Sequence, residues 1–430
     1  MRAALWLVAL FAVAVATALL AGNNQGTVTL FWMPYRVDLS INMVALLWVI
    51  SFAFMHLALR AMAALFELPK QARRWRLLQK ERAVHAALLD GLAQMMTGRY
   101  VRARKSAEQA LALESSLQSV ERHEDPLPRH LPQLRALAEL IAAESAHALR
   151  DRAAREAHLQ NVISLPTTRQ LPGLVEAVEA ARLSAARWAL SDRDAPSAMN
   201  WLASLSQGVA RRTLTLRLRL KATRLMRNNL SALETARLLA KHGAFSDVAS
   251  QSLLRSLSLA CMAECHDRAQ FQTAWLALDR DEQEDPEVAL QAAQRWLSLQ
   301  GDPRDALQWL LPLWNQWVLS PEGLPEAYRA RLTDVMEQAF LALPPDTEWL
   351  GRIDQARQHL PRHLELQYLS GRVCMRHGLW GKAQQVLERA APLLTGSILQ
   401  RRAWSALAEL AEQRGDAERA AQAWKKAALS

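Results

Sequence analysis

Two uncharged apolar runs near the N-terminus constrain this chain more than any other feature of its 430 residues. Residues 3–21 carry no charged side chain, and residues 41–59 are interrupted only by Asn42, Ser51 and His56. As helices, each run would extend roughly 29 Å, close to the hydrocarbon thickness of a bilayer. The first run also admits a signal-peptide reading, with Ala16-Thr17-Ala18 as the cleavage site. The second run would then cross alone.

Basic residues orient the pair. The linker at 22–40 holds only Arg36 and Asp38, whereas Arg60, Lys70, Arg73, Arg74, Arg76, Lys80 and Arg82 follow the second run against Glu67 and Glu81. Short flanks rich in Lys and Arg stay cytoplasmic. The reading is a transmembrane hairpin over 1–65, with an extracytoplasmic loop at 22–40 and the large remainder inside. A basic juxtamembrane segment follows at 66–82. There Arg73, Arg74, Arg76, Lys80 and Arg82 are expected to meet anionic lipid, with Trp75, Leu77 and Leu78 adding shallow insertion. In the loop, alternation over 26–32 and 35–39 around Met33-Pro34 predicts a small β-hairpin.

Beyond the membrane runs, alanine and leucine dominate and glycine numbers only 15, which favours helix throughout. Cys261, Cys265 and Cys374 are too few for a disulfide framework and suit a reducing compartment. The net charge of +10 is compatible with nucleic acid, anionic lipid or acidic partners. No nucleic-acid reader motif accompanies it, and the basic cluster beside the second run is explained by the bilayer, so no nucleic-acid partner is expected.

Internal repeats come next. Gly371, Gly378 at a turn, Ala383 and Ala390 make one helix–turn–helix unit, with small residues where helices must approach. Trp404, Ala408, Gly415 and Ala420 make another, its turn glycine 37 residues further on. Gly91, Gly98 and Tyr100 open the array, and a degenerate unit turns at Gly301-Asp302 before Ala306 and Leu310. Helix pairs are also expected at 133–164, 174–205 and 213–242, turning at Arg150-Asp151, Ser191-Asp192 and Asn228-Asn229. The acidic stretch 279–287 reads as a solvated inter-helix loop, or as a divider between two sub-arrays. The expected fold is therefore all-α: two N-terminal transmembrane helices, then a tetratricopeptide-like α-solenoid. It comprises a helical-repeat array over 83–278 and a tetratricopeptide array over 279–430.

The bracketed loop, Ala87-Leu88-Leu89-Asp90-Gly91-Leu92 with Thr97-Gly98-Arg99-Tyr100, then Ala142-Ala143-Glu144 and the closing repeats, give the chain a family likeness. It resembles the HemY family of Gram-negative inner-membrane proteins, the tetratricopeptide type associated with haem biosynthesis. Gln367 and Ser370 stand where the penultimate repeat would carry Trp and Leu. The resemblance implies a non-catalytic role near late protohaem synthesis, as a scaffold for pathway enzymes or a handler of porphyrin at the cytoplasmic face of the inner membrane. A flavin enzyme, protoporphyrinogen oxidase, shares the family's name. This chain lacks the Gly-x-Gly-x-x-Gly turn that such a cofactor needs, since no two glycines lie two apart.

The remaining candidate chemistry is local. Cys261 and Cys265 precede His266 with one residue too many for covalent haem attachment. Small buried core residues, or a non-covalent haem or zinc pair, are the two readings. His359 and His363 are separated by Pro361, which breaks a shared helix face. Tyr368, Arg372, Arg376 and Arg402 are expected along an inner groove, where arginine would grip a peptide's acids or a porphyrin's propionates. The plainer reading is a solvated basic face. No nucleophile elbow or metalloprotease motif occurs, so the expectation is a protein that holds rather than transforms, not an enzyme. No cofactor is implied outright; haem or porphyrin is a candidate ligand, and haem-pathway enzymes and membrane lipids are the candidate partners. A haem-binding carrier or regulator and a generic envelope-complex assembly factor are the alternatives.

Overall fold

A computed structural model describes residues 2–22, 26–120, 130–166, 171–394 and 398–429. Residues 23–25 of the expected loop therefore lie outside it. Helix α1 (Arg2–Gly22) leads to strands β1 (Thr27–Trp32) and β2 (Tyr35–Ser40). The strands pair antiparallel, Thr27 with Ser40 and Trp32 with Tyr35, leaving Met33-Pro34 at the tip. Phe31, Trp32, Met33 and Tyr35 are all exposed around that tip.

Ser40 ends the hairpin and caps the next helix, its Oγ accepting from the Met43 amide at 3.3 Å. That helix, α2 (Ile41–Met96), runs for 56 residues, or roughly 84 Å. Its first part, Ile41–Ala63, has a mean hydropathy of 2.0 and buries nothing. It is the one helix among the described residues that is long and apolar enough to cross a membrane. The far end of the same helix buries Val84, Ala87 and Leu88 in a core shared with α3 (Tyr100–Val120) and α4 (Leu131–Ala148). The segment expected as a separate juxtamembrane piece is thus the middle of one continuous rod. Helix α5 (Arg152–Ile163) completes the pairs of the first compact unit, Met1–Ala177.

The second compact unit, Val178–Ser430, begins within α6 (Pro172–Ser191). It continues through α7 (Ala195–Ala203), α8 (Gln207–Ala210), α9 (Thr213–Leu225), α10 (Asn229–Lys241) and α11 (Asp247–Ala263). Then come α12 (Arg268–Leu276), α13 (Arg280–Gln283), α14 (Pro286–Ser298), α15 (Pro303–Leu319) and α16 (Glu326–Ala342). The last are α17 (Thr347–His359), α18 (Leu364–Arg376), α19 (Trp380–Ala390), α20 (Ile398–Gln413) and α21 (Ala417–Leu429). Helices touch their successor and the next but one: α14 meets α15 and α16, and α18 meets α19 and α20. No single pair can bury its own apolar stripe, so stacking completes the core.

One turn design recurs. At Gly98, Gly243, Gly378 and Gly415 the backbone swings to positive φ, and so it does at Arg150, Arg193, Arg227 and Gln300. In each case the following amide reaches back five residues to close the helix end, as from Asp151 to Ala146 O at 2.9 Å and from Leu379 to Cys374 O at 2.9 Å. An Asp or Asn then often caps the next helix. Asp151, Asp194, Asn228 and Asp416 accept from the amides of Ala154, Ser197, Ser231 and Arg419, each at 3.1 Å. The turn expected at Ser191-Asp192 lies two residues later, because Asp194 is the capping acid. At Gly301-Asp302 the left-handed residue is Gln300. Gly301 instead leaves space for the Trp296 ring, whose Nε1 donates to Asp302 O at 2.9 Å.

In the last units several small residues of the helix pairs are buried. Ala383, Ala390 and Ala408 are wholly buried and Ala420 nearly so. Around the middle, the core is aromatic. Trp275, Trp296 and Phe271 gather on Trp309 with ring centroids 4.6 to 6.0 Å apart. The acidic stretch 279–287, read as a solvated loop, is instead a set of ties inside the second unit. Glu282 is buried and takes Arg237 at 2.5 Å, Asp285 takes Arg255 at 2.8 Å, and Glu287 takes Arg331 at 2.6 Å. Burial of a carboxylate requires such a partner, and each neighbouring helix provides an arginine.

Candidate functional site

The residues expected along the groove do come together, but around a carboxylate of their own. Glu337 on α16 is buried. It accepts from Tyr368 Oη at 2.7 Å and from Arg372 Nε at 2.6 Å, both on α18. Arg402 on α20 reaches it at 3.4 Å and also bonds Asp334. Arg372 extends to Glu409 at 3.4 Å. Three alternate helices are thus tied by one network. Burial drives the Tyr368 hydroxyl far above its ordinary pKa, with the Glu337 charge adding to it. Burial pulls the Arg372 guanidinium down, and Glu337 more than restores it, so it stays protonated.

This corrects the expectation that these side chains present free donors to a partner's acids. Tyr368 is fully buried, and the guanidiniums of Arg372 and Arg402 already hold internal carboxylates. Arg376 alone of the four is exposed without a carboxylate, its Nη2 donating to Leu343 O at 2.6 Å. A network that joins α16, α18 and α20 sets their mutual angles; it has little left with which to bind.

The residues expected to pack the repeats sit in helices and at turns. Gly91 lies in α2, with Ala103 O and the Ile141 and Ser106 side chains at ordinary contact distance from where a Cβ would be. Gly98 is the turn and Tyr100 opens α3. Trp404 is half-buried, with the Lys426 ammonium 4.4 Å from its ring centroid. In the basic segment, Arg76 and Arg82 are exposed and Lys80 is half-buried along α2, beside exposed Trp75 and Leu78. Leu77 packs toward the core instead. The side chains of Arg73 and Arg74 lie outside the described residues.

Cys261 and Cys265 are buried, and the Cys265 thiol donates to Cys261 O at 3.3 Å. Burial, with Glu264 assisting, pushes the Cys261 thiol up to about 11, and burial raises Cys265 and Cys374 as well. These are protonated core thiols. His359 ends α17 and His363 precedes α18, with Pro361 between them. Both border an open cavity of about 580 Å³ together with Arg362. Trp317 Nε1 donates to His363 Nδ1 at 3.4 Å, and burial lowers the His363 pKa. Among the described residues no three His, Cys, Asp or Glu side chains gather to hold a metal ion.

One feature was missed on reading the sequence. No acidic residue occurs between Asp194 and Glu234, yet seven Arg and Lys residues fall between 211 and 227. Helix α9 carries four of them. The signal was available as a gap in the acids rather than a run of bases.

A structure described as APC/C hetero-tetramer Cut9-Hcn1 is 14% identical over 79% of this chain, with a TM-score of 0.27. One described as Naa15/Naa10 bound to HypK-THB is 13% identical over 83%, also at 0.27. This chain spans 65% of the length of each. Likeness at that level carries no argument. No curated protein matches significantly. Residues 26–150, which hold the hairpin, the long rod and the first three helix packings, match the family model described as HemY protein N-terminus. That match supports membership of the HemY family through the N-terminal domain.

Proposed function

We propose that this chain is a membrane-anchored helical-repeat scaffold for haem biosynthesis. In this reading α1 and the first part of α2 both cross the bacterial inner membrane, the hairpin faces outward, and the repeats lie at the cytoplasmic face. Arg73, Arg74, Arg76, Lys80 and Arg82 then meet anionic head groups, in keeping with the bias of basic flanks. The array gathers enzymes of the pathway or passes a porphyrin between them. The observation that carries the reading is the continuity of α2. One helix is apolar with nothing buried over Ile41–Ala63 and is buried in the first repeat core at Val84, Ala87 and Leu88. Such a rod ties the first helix pairs of the array directly to the anchor. The helix–turn–helix pairs and the match to the HemY N-terminal model support a role in holding proteins, and the haem link rests on that family's name.

The test is affinity purification of the tagged full-length chain from mild-detergent extracts, with quantitative mass spectrometry against an untagged control. Reproducible enrichment of haem-pathway enzymes is expected. A partner list devoted to other envelope complexes would favour the assembly-factor alternative. Saturable binding of haemin by the purified chain without protein partners would favour the carrier.

A further inference from the structure

We propose that the cleft between α9 and α11 docks an acidic, partly apolar segment of a partner protein. The proposal rests on the scaffold reading and gives the partner its chemistry. Arg217, Lys221 and Arg224 share one face of α9 by their i, i+4, i+7 spacing. They rim a cleft of about 620 Å³ with Leu220, Phe245 and Leu253. Arg217 is held in place: its Nη2 donates to Ala244 O at 2.9 Å, and its guanidinium carbon lies 5.8 Å from the Phe245 ring centroid.

Charge decides the occupant. Several other arginines of this unit that face a neighbouring helix meet a carboxylate, as Arg237 meets Glu282, Arg255 meets Asp285 and Arg372 meets Glu337. Among the described residues no carboxylate pairs with Arg217, Lys221 or Arg224, and the 195–233 stretch contains none to offer. Complementary charge has to come from outside the chain. The size of the basic surface argues for a polypeptide. Helix α9 alone extends roughly 20 Å, more than a small anion covers. The concavity beside Leu220, Phe245 and Leu253 admits a side chain, which a flat bilayer surface would not supply. The fitting partner carries acids spaced along one face and a Leu, Phe or Trp between them.

The experiment uses the full chain in nanodiscs of phosphatidylcholine, panned against a phage-displayed library of random 12-residue peptides. The selected peptides are expected to be enriched in Asp and Glu and to contain a large apolar residue. A fluorescein-labelled winner should lose at least about tenfold in affinity to R217E/K221E/R224E. It should bind the wild type and a matched reversal of exposed charges, R389E/R401E/K425E, equally. A thermal melt of each variant checks that the fold is intact. Peptides without acidic enrichment, or equal binding to both reversals, would overturn the proposal. So would preferential capture of the nanodiscs by immobilised phosphatidylglycerol vesicles through the same three residues, which would assign the face to a bilayer. Full recovery of the co-purifying proteins by R217E/K221E/R224E would remove this site while leaving the scaffold intact; absence of any partner for the wild type would remove both.

Discussion

A methyl group added to Gly371 would lie 2.5 Å from Cγ of Leu387. Helices α18 and α19 therefore touch where no side chain larger than hydrogen fits. Gly371→Ala should destabilise the second unit by about 1–3 kcal/mol, the usual cost of overpacking. Gly91 occupies the corresponding position of the first repeat, but its Cβ would meet nothing closer than 3.5 Å. Gly91→Ala should be neutral or stabilising by about 0.5–1 kcal/mol through helix propensity. Urea denaturation of both variants checks the contrast; equal effects would mean that the two units do not differ in packing.

The arginines in left-handed turns offer gains. Arg150 and Arg193 hold φ near +60° and are exposed. A side chain there costs about 1–2 kcal/mol, part of which glycine returns in unfolded-chain entropy. Each Arg→Gly change should raise stability by about 0.5–1 kcal/mol, read as a shift in the denaturation midpoint. A loss of stability would show that those side chains make contacts that outweigh the strain.

Glu337 is the hub whose removal strands the most donors. Glu337→Leu should cost about 3–5 kcal/mol, because the Tyr368 hydroxyl stays buried without an acceptor and Arg372 keeps only Glu409 at 3.4 Å. Adding Arg372→Met and Tyr368→Phe should recover most of that loss. A triple variant no more stable than the single one would indicate a defect of shape rather than of charge.

Acid should weaken the second unit. The Arg331 hydrogen bond holds the Glu287 carboxyl below its ordinary pKa. Burial pushes Asp354 up, but Lys382 and Arg357 more than reverse it. A depressed folded-state pKa means the unfolded chain takes up protons first. The contribution is complete above the ordinary carboxylate range and fades as pH falls through it toward the folded value. Urea midpoints from pH 6 to 3 should fall, and Glu287→Gln should flatten part of the slope. An unchanged slope in that variant would discount the Arg331 pair.

Thiol reactivity follows from burial. With its thiol near 11, Cys261 should resist iodoacetamide at pH 7.5 in the native chain and react once urea exposes it. Rapid native alkylation would mean that α11 opens locally.

Much of this architecture was readable from residue spacing. The turns at Gly98, Gly378, Gly415 and Arg150-Asp151 were legible because a left-handed residue followed by a cap leaves a local signature. The hairpin was legible because Met33-Pro34 interrupts two alternating runs. The Ser191 turn was misplaced by two residues because arginine, unlike glycine, does not announce positive φ. The groove network was misread for a different reason. Asp334 lies on another helix than the Arg402 it serves, and Glu337 and Glu409 on other helices than Arg372, so only the stacking of α16, α18 and α20 brings them into range.

The account as a whole depends on one continuous helix joining a bilayer to a stack of helix pairs. Protease digestion of sealed, right-side-out membrane vesicles tests this most directly. Everything beyond residue 66 should survive until the vesicles are lysed, with cleavage before lysis confined to the hairpin. Digestion of the repeats in intact vesicles would contradict it.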